Sequence, residues 1–460
     1  MKKTIVTCIV ILIIALAGGS ATFLPRFFQS STVPEPPPAV ESAHPEAILS
    51  EPNTDPDPEP LTVPVPEPVP EAEPESEPLP EQETEAEPEI PASDLTGDLL
   101  VTLSDGRTAA ALLDRNYTSR LSLRADAYVT ISAAEEIHSL YLVWGLPPGQ
   151  WSISGEQTQT FGEHGFVHEY VTLSSPSAEL TLHMPPNGAV LCDIYAFSEG
   201  YPPEWVQIWL PPLRRADILV LPTHADDEHL FFAGILPYYA GERGYRVQVA
   251  YLTNHWNEPP RPHELLNGLW VVGIRNYPVI SGFNDRLATS LQQARDIYGF
   301  DNFVNFQVEL LRRFKPLVVV GHDLNGEYGH SVHSLGAHAL RVAVENAADA
   351  TLHPDSYRQY GIWDTPKLYL HLYPENAIMM DWDIPLENFG GATAYEMAAA
   401  GYDSHRSQHR WAFAVPRPGS VSGHKFGLVR SLVGWDSVGG DLLENVVTAE
   451  DKDWSYLWNY

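Results

Sequence analysis

From Ala216 onward, short apolar runs alternate with amphipathic stretches, and this alternation restricts the fold more than any other property of the chain. ADILVL (216–221) is an apolar run of strand length, EHLFFAGILPYYAGERG reads as helix, and RVQVAYLT as the next strand. NFVNFQVELLRRF then reads as an amphipathic helix, PLVVVGHD as a buried strand, SVHSLGAHALRVAVENAADA as a helix and KLYLHLY as a strand. Strands without a polar face need cover on both sides, so the pattern predicts an α/β fold with a mainly parallel sheet between helices. In such sheets ligands bind beyond the carboxyl ends of the strands, which directs attention to the loops after Leu221 and Val320.

Those loops read THADDEH (223–229) and GHDLNGEYGHSVH (321–333). His224 and Asp227 lie three residues apart at a strand-to-helix turn, which lets an imidazole and a carboxylate converge on one cation, and His333 completes three protein ligands. Two histidines and one carboxylate with an open fourth position form a catalytic Zn2+ set; the same donors hold Fe2+ as a facial triad, so zinc is the preferred cofactor and iron the alternative. Asp226 beside Asp227 is a costly pairing unless a cation neutralises it. Near a metal one carboxylate binds the ion, and Asp226 takes a proton from activated water. His330 is expected to face the same centre as an imidazolium that stabilises an oxyanion and protonates a leaving amine. His322, Asp323 and Glu327 are candidates for a supporting layer that orients His333 or His330. Turn capping by Asp323 and Asn325 is the alternative. His229, His255 and His263 show no partner in the sequence and are expected at the surface or in the core.

These residues resemble a known family. THADDE is similar to the HPDDE signature, and GEYGHSVH to the GHPDH signature, of the PIG-L/LmbE-like GlcNAc de-N-acetylases, in the same order. The resemblance covers about residues 216–408 and includes RPHELLNGLWVVGI, similar to the family's Arg-x-x-Glu helix, and HRSQ at 405–408. It implies a Rossmann-like three-layer sandwich, zinc held by His224, Asp227 and His333, Asp226 as general base, His330 at the oxyanion and leaving group, and hydrolysis of an acetamido sugar. Ala225 replaces the Pro of the first signature, and Ser331 and Val332 the Pro and Asp of the second; none of these removes a proposed ligand. By a looser alignment Arg261, Asp285 and His405 become candidates for substrate contact. An ion pair within the fold explains Arg261 and Glu264 equally well, and loop bracing explains His405.

Upstream, residues 94–212 contain runs rich in Val, Ile, Tyr, Leu and Trp, such as SLYLVWGL, HEYVTLSS, AELTLHM, VLCDIYAF and VQIWL, broken by turn residues. They predict a small all-β sandwich, with a weak resemblance to galactose-binding-like jelly rolls through VLCDIYAFSEG. Trp144 and Trp151 are either glycan platforms or core residues. Residues 213–460 form the deacetylase-like domain, and the stretch after Arg417 carries no motif and is expected to pack back onto it.

The N-terminus predicts export. Lys2 and Lys3 precede an apolar run from Ile5 to Ala17, so residues 1–26 serve as a signal peptide or a signal anchor. Residues 27–93 are dominated by Pro and Glu, cannot bury a core, and predict a disordered, extended spacer from the cell envelope or membrane. The formal charge is −33, of which 17 negative charges lie between Glu35 and Glu89 where no Lys or Arg occurs. The acidic remainder repels nucleic acid, so the expected partner is an acetamido-sugar or glycan substrate. With two cysteines, one of them Cys8 in the apolar run, no intrachain disulfide is expected. The competing functions are a glycan-binding or scaffold protein with a vestigial hydrolase domain, and an amidase acting on a non-sugar or thiol-conjugate amide.

Overall fold

The structure, a computed structural model, describes residues 90–448 apart from 155–156, 412, 418, 420 and 438–440. By contact the chain divides into Met1–Gln82 and Glu83–Tyr460, and every described residue belongs to the second unit. The expected signal or anchor and nearly all of the Pro/Glu stretch lie outside the described residues. Among the described residues no helix is long and apolar enough to cross a membrane. Pro91 already pairs with Tyr201, so ordered pairing begins slightly before residue 94.

The fold is mixed α/β and carries two seven-stranded sheets. The first comprises β1 (Leu100–Leu103), β2 (Leu121–Leu123), β3 (Tyr128–Trp144), β4 (Trp151–Ser154), β5 (Gln159–Phe161), β6 (His168–His183) and β7 (Ala189–Phe197). All its pairings are antiparallel, in the order β2-β7-β3-β6-β4-β5 with β1 beside β3. Here the expectation of two packed sheets needs correction, because the strands join one hydrogen-bonded sheet. HEYVTLSS and AELTLHM are two halves of β6, and its pairing with β3 is interrupted between Ser132 and Ser139. Irregularities of this kind bend and twist long strands, so a single sheet curls around its own core. VQIWL forms no strand, only a bridge from Leu210 to Asn276. Trp144 and Trp151 are core residues, not glycan platforms: both are buried and donate their indole N–H groups to Glu169 Oε2, at 3.0 and 2.8 Å.

The second sheet contains β8 (Ile218–Val220), β9 (Val247–Tyr251), β10 (Val279–Ile280), β11 (Val318–Gly321), β12 (Lys367–His371), β13 (Ala377–Met379) and β14 (Lys425–Ser431), in the order β10-β9-β8-β11-β12-β14-β13. The first five run parallel, and β14 is antiparallel to both β12 and β13. Side chains alternate along each strand and feed two cores. Ile218, Val220, Val249 and Val320 face α1 (Asp227–Leu230), α2 (Arg261–Val271) and α7 (Ala394–Tyr402), while Leu219, Leu221 and Val319 face α4 (Phe300–Phe314) and α5 (Ser331–Ala347). The helices α3 (Leu291–Tyr298) and α6 (Pro354–Tyr360) complete the second face, and buried Cys192 is a free thiol.

EHLFFAGILPYYAGERG is not one helix. It breaks after Leu230 and resumes as a π-helical segment over Leu236–Glu242. Pro237 has no N–H and its ring would strike the carbonyl four residues earlier, so a continuous helix cannot pass through it. The C-terminal stretch does pack back: β14 extends the sheet, Leu442 N donates to Tyr239 Oη, and the ammonium of buried Lys367 meets Asp436 at 2.5 Å. The first sheet abuts α2. Phe166 stacks on Tyr277 with ring centroids 4.5 Å apart, His168 Nε2 lies 2.9 Å from His263 Nδ1, and Arg120 donates to Pro259 O at 2.8 Å.

Candidate metal centre

β8 and β11 are neighbours from which the chain winds outward in opposite directions, and the crevice beyond their carboxyl ends is where such sheets bind ligands. Both motif loops leave there. In the first, Asp227 Oδ2 accepts from the backbone N–H groups of His224 and Thr223, at 2.7 and 3.2 Å, which curls the loop over its own carboxylate. The same oxygen lies 3.2 Å from His224 Nδ1 and 3.2 Å from His333 Nε2, and those nitrogens are 3.0 Å apart. Three ligand atoms around one tetrahedral zinc with bonds of about 2.0–2.1 Å stand about 3.3 Å from one another, so the donor set fits such an ion in number, chemistry and spacing.

Electrostatics points the same way. Burial opposes charge on His224, yet Asp227 and Asp285 outweigh it and raise its pKa to about 9. Burial would raise Asp227, but His333 and His224 hold it well below the usual carboxylate range. The buried cluster thus carries a carboxylate that requires positive charge beside it.

The second loop is built around Glu327, which is fully buried. Its Oε2 accepts from His333 Nδ1 at 2.7 Å and His322 Nδ1 at 2.9 Å, and its Oε1 from the Asp323 N–H at 3.1 Å; His371 Nδ1 lies 2.7 Å from Oε1. With His333 Nδ1–H committed to Glu327, the Nε2 lone pair is turned toward Asp227 and His224. His322 adds a link between the loops, because its Nε2 accepts from Thr223 N at 2.9 Å. His322 and Glu327, the candidates for a supporting layer, lie within hydrogen-bond distance of Thr223 and His333. Asp323 is instead a turn cap, its Oδ1 accepting from Asn325 N at 3.2 Å. Gly326 is required here: its φ is 70°, and a Cβ would come within 2.0 Å of His330 O.

His330 precedes α5, and its ring centroid lies 4.7 Å from that of His224 and 4.2 Å from that of His333. Its Nδ1 is buried without a hydrogen-bond partner. The expected imidazolium is not what this setting favours. Burial, with His224 and His333 adding to it, lowers its pKa to about 3, and a cation at the centre would act in the same direction.

Asp226 stands beside Asp227 at φ 122°, a conformation costly for any residue but glycine and one that marks stored strain. Burial, opposed by Arg261, pushes its carboxyl up to about 8. Arg261 NH2 is 3.6 Å from Asp226 Oδ2 and also donates to Ala225 O, so this guanidinium braces the first loop. Glu264 does not pair with it; it accepts from Ser407 N and Oγ at 2.8 and 2.6 Å and fixes the HRSQ segment. Asp285 Oδ1 lies 3.4 Å from His224 Nε2, which places it behind that imidazole as well as at the edge of the cleft.

His405 does not touch the cleft. It is fully buried with Nε2 3.2 Å from Glu228 Oε1, while His229 Nε2 lies 3.3 Å from that oxygen. Burial raises Glu228 and lowers His229 and His405 to about 4 and about 3, so burial disfavours charge on each member of the cluster. His405 thus lies away from the cleft lining, packed against Glu228 and the ring of His229. His255 and His263 are also buried. Sequence reasoning missed Glu228 and His371; the latter sits in KLYLHLY, whose apolar pattern conceals it.

The centre opens into a cleft of about 370 Å³ whose floor includes His224, Asp226, Asp227 and His330. Two histidines and a carboxylate converge at the ends of central parallel strands of an α/β protein, a donor set that could hold one metal ion. No protein-family model matches the chain. A 1D-myo-inositol 2-acetamido-2-deoxy-alpha-D-glucopyranoside deacetylase 2 of Saccharopolyspora erythraea is 37% identical over 78 residues, 17% of this chain and 27% of that protein. A 1D-myo-inositol 2-acetamido-2-deoxy-alpha-D-glucopyranoside deacetylase 1 of Catenulispora acidiphila is 23% identical over 193 residues, 36% of this chain and 59% of that protein. The chain thus spans less than two thirds of the length of these relatives. Among solved structures, an N,N'-diacetylchitobiose deacetylase from Pyrococcus horikoshii aligns at 17% identity and a TM-score of 0.31, over 43% of this chain and 72% of that one. In its two motifs and over the stretches matched by these sequence relatives, the chain is similar to the PIG-L/LmbE-like deacetylases.

Proposed function

We propose that this protein is a zinc-dependent N-deacetylase acting on an N-acetylglucosamine-type sugar, with His224, Asp227 and His333 as ligands. The observation that carries the reading is the triangle of His224 Nδ1, Asp227 Oδ2 and His333 Nε2, 3.0–3.2 Å on each edge, at the floor of an open cleft with Asp226 beside it. Bound there, zinc supplies Lewis acidity and lowers the pKa of water, and iron is the alternative ion for the same donors. Asp226, ionised next to such a charge, accepts the proton of the attacking water and returns it to the leaving amine. His330 enters neutral and offers its unpartnered Nδ1 to the oxygen on which negative charge develops. Arg261 holds the Ala225–Asp226 backbone in its strained conformation.

The order β10-β9-β8-β11-β12 supports a Rossmann-like reading of residues 213–460, preceded by a separate β domain over 94–212. The export signal or anchor at 1–26, the spacer at 27–93 and an envelope or extracellular glycan as substrate rest on the sequence, and fractionation of expressing cells tests them. The activity is tested by acetate release from N-acetylglucosamine oligomers by the metal-loaded full chain beside Asp226→Ala. Turnover lost in a variant that keeps its metal supports the assignment. Metal bound without acetate release from any acetamido sugar transfers the substrate to another amide, and failure to bind metal removes the enzymatic reading.

A further inference from the structure

The geometry points to a second sugar-binding position in the cleft: a wall formed by Tyr328, Trp411 and Phe413 that stacks against a neutral pyranose ring adjoining the acetamido sugar. It takes its substrate class from the proposed deacetylase reading. The cleft has two chemically distinct parts. Its floor is ionisable, with His224, Asp226, Asp227 and His330, whereas its rim carries Leu287, Tyr328, Trp411 and Phe413. These four are among the exposed large apolar side chains of the molecule, at 81%, 57%, 60% and 43% exposure. Tyr328 and Phe413 are stacked, with centroids 5.8 Å apart and planes at 28°, although 85 residues separate them in sequence, and Arg410 lies 5.1 Å from the Trp411 ring.

Aromatic faces left in water beside a polar floor are costly unless a ligand covers them. Pyranose rings suit them, because the axial C–H groups of one ring face form an apolar surface while the hydroxyls stay at the edge. The deacetylation step itself needs only the acetamido sugar at the floor. A wall extending outward from Tyr328, two residues from His330, gives the next ring of a chain a place to lie. Charge specifies the kind of ring. Arg261 is the only arginine or lysine among the described residues lining the cleft, and it is paired with Asp226, while Asp226, Asp227 and Asp285 are acidic. A ring bearing a carboxylate or sulfate would face the acidic side of the cleft formed by Asp226, Asp227 and Asp285, so the better-fitting occupant is uncharged.

The test uses the metal-loaded full chain with N-acetylglucosamine and N,N',N''-triacetylchitotriose. In the parent, kcat/KM for the trisaccharide is expected to exceed that for the monosaccharide at least tenfold. That ratio should collapse toward one in Trp411→Ala and Phe413→Ala and be largely retained in Trp411→Phe, with circular dichroism confirming the fold of each variant. Equal kcat/KM for the two sugars in the parent, or a ratio unchanged in both alanine variants, overturns the wall while leaving the deacetylase intact. If no sugar releases acetate, calorimetric titration of Asp226→Asn with triacetylchitotriose still decides. Binding that Trp411→Ala weakens at least tenfold sustains the wall although the activity reading has failed, and absence of such binding overturns it.

Discussion

His224 Nδ1 and His333 Nε2 stand 3.0 Å apart, although 109 residues separate them in the chain. The contact exists because β8 and β11 are adjacent parallel strands and their following loops face each other across one carboxylate. Ligand histidines that carry protons must lose them before they can bind a metal. Since His224 titrates at about 9, zinc binding near neutral pH should release protons, and affinity should rise as pH approaches that value. Calorimetry at pH 7 in buffers of different ionisation enthalpy measures this directly. Identical heats in all buffers would contradict it.

Glu327 is the centre of a buried array of three histidines, so Glu327→Gln should be more damaging than its small change in shape suggests. Glutamine retains one acceptor oxygen and turns an NH2 group toward ring N–H donors. The loss of metal affinity is expected at about 10- to 100-fold, and the stability cost at about 3 kcal/mol. Although burial opposes it, His322, His333 and His371 hold the Glu327 pKa well below 4.5. Its contribution to stability is therefore present above the unfolded pKa and lost as acid protonates it, and the variant should show a flatter dependence of Tm on pH below about 5.

Asp226→Asn separates two properties. Activity should fall about 10²- to 10⁴-fold while metal stays bound. In the metal-free protein the sign of the stability effect is opposite. The folded carboxyl titrates at about 8 against 3.8 unfolded, so its protonated form is the stable one below pH 4 and the advantage is lost as pH rises through 8. The amide carries no charge at any pH, and metal-free Asp226→Asn should exceed the parent in stability by about 1 kcal/mol or more at pH 9, with the gap closing at pH 4. Thermal melts across that range in the presence of chelator provide the check.

Gly326→Ala should disable the second loop without touching a ligand. A methyl group there must escape a 2.0 Å approach to His330 O from a backbone at φ 70°. The cost of such strain is about 2 kcal/mol or more, and displacement of His330 and His333 should lower metal affinity together with Tm. A variant with normal metal binding would show that the loop relaxes independently of its histidines.

Much of this was written in the sequence. Continuous apolar runs require a covered parallel sheet, and the strand ends direct chemistry to THADDEH and GHDLNGEYGHSVH, so His224, Asp226, Asp227, His330 and His333 can be named before any fold is known. Those residues are legible because adjacent carboxylates and paired histidines are poor choices without a cation. Tertiary structure decided what depends on which side chains meet across the fold. It made one curved sheet of the expected sandwich, since pairing between distant halves of β3 and β6 is not encoded in local alternation. It made Asp323 a turn cap, put His405 in the buried layer beside Glu228, brought His371 from an apolar strand onto Glu327, and assembled the rim from residues on separate loops. Periodicity records which face of an element is buried; only packing determines which buried polar group finds which partner.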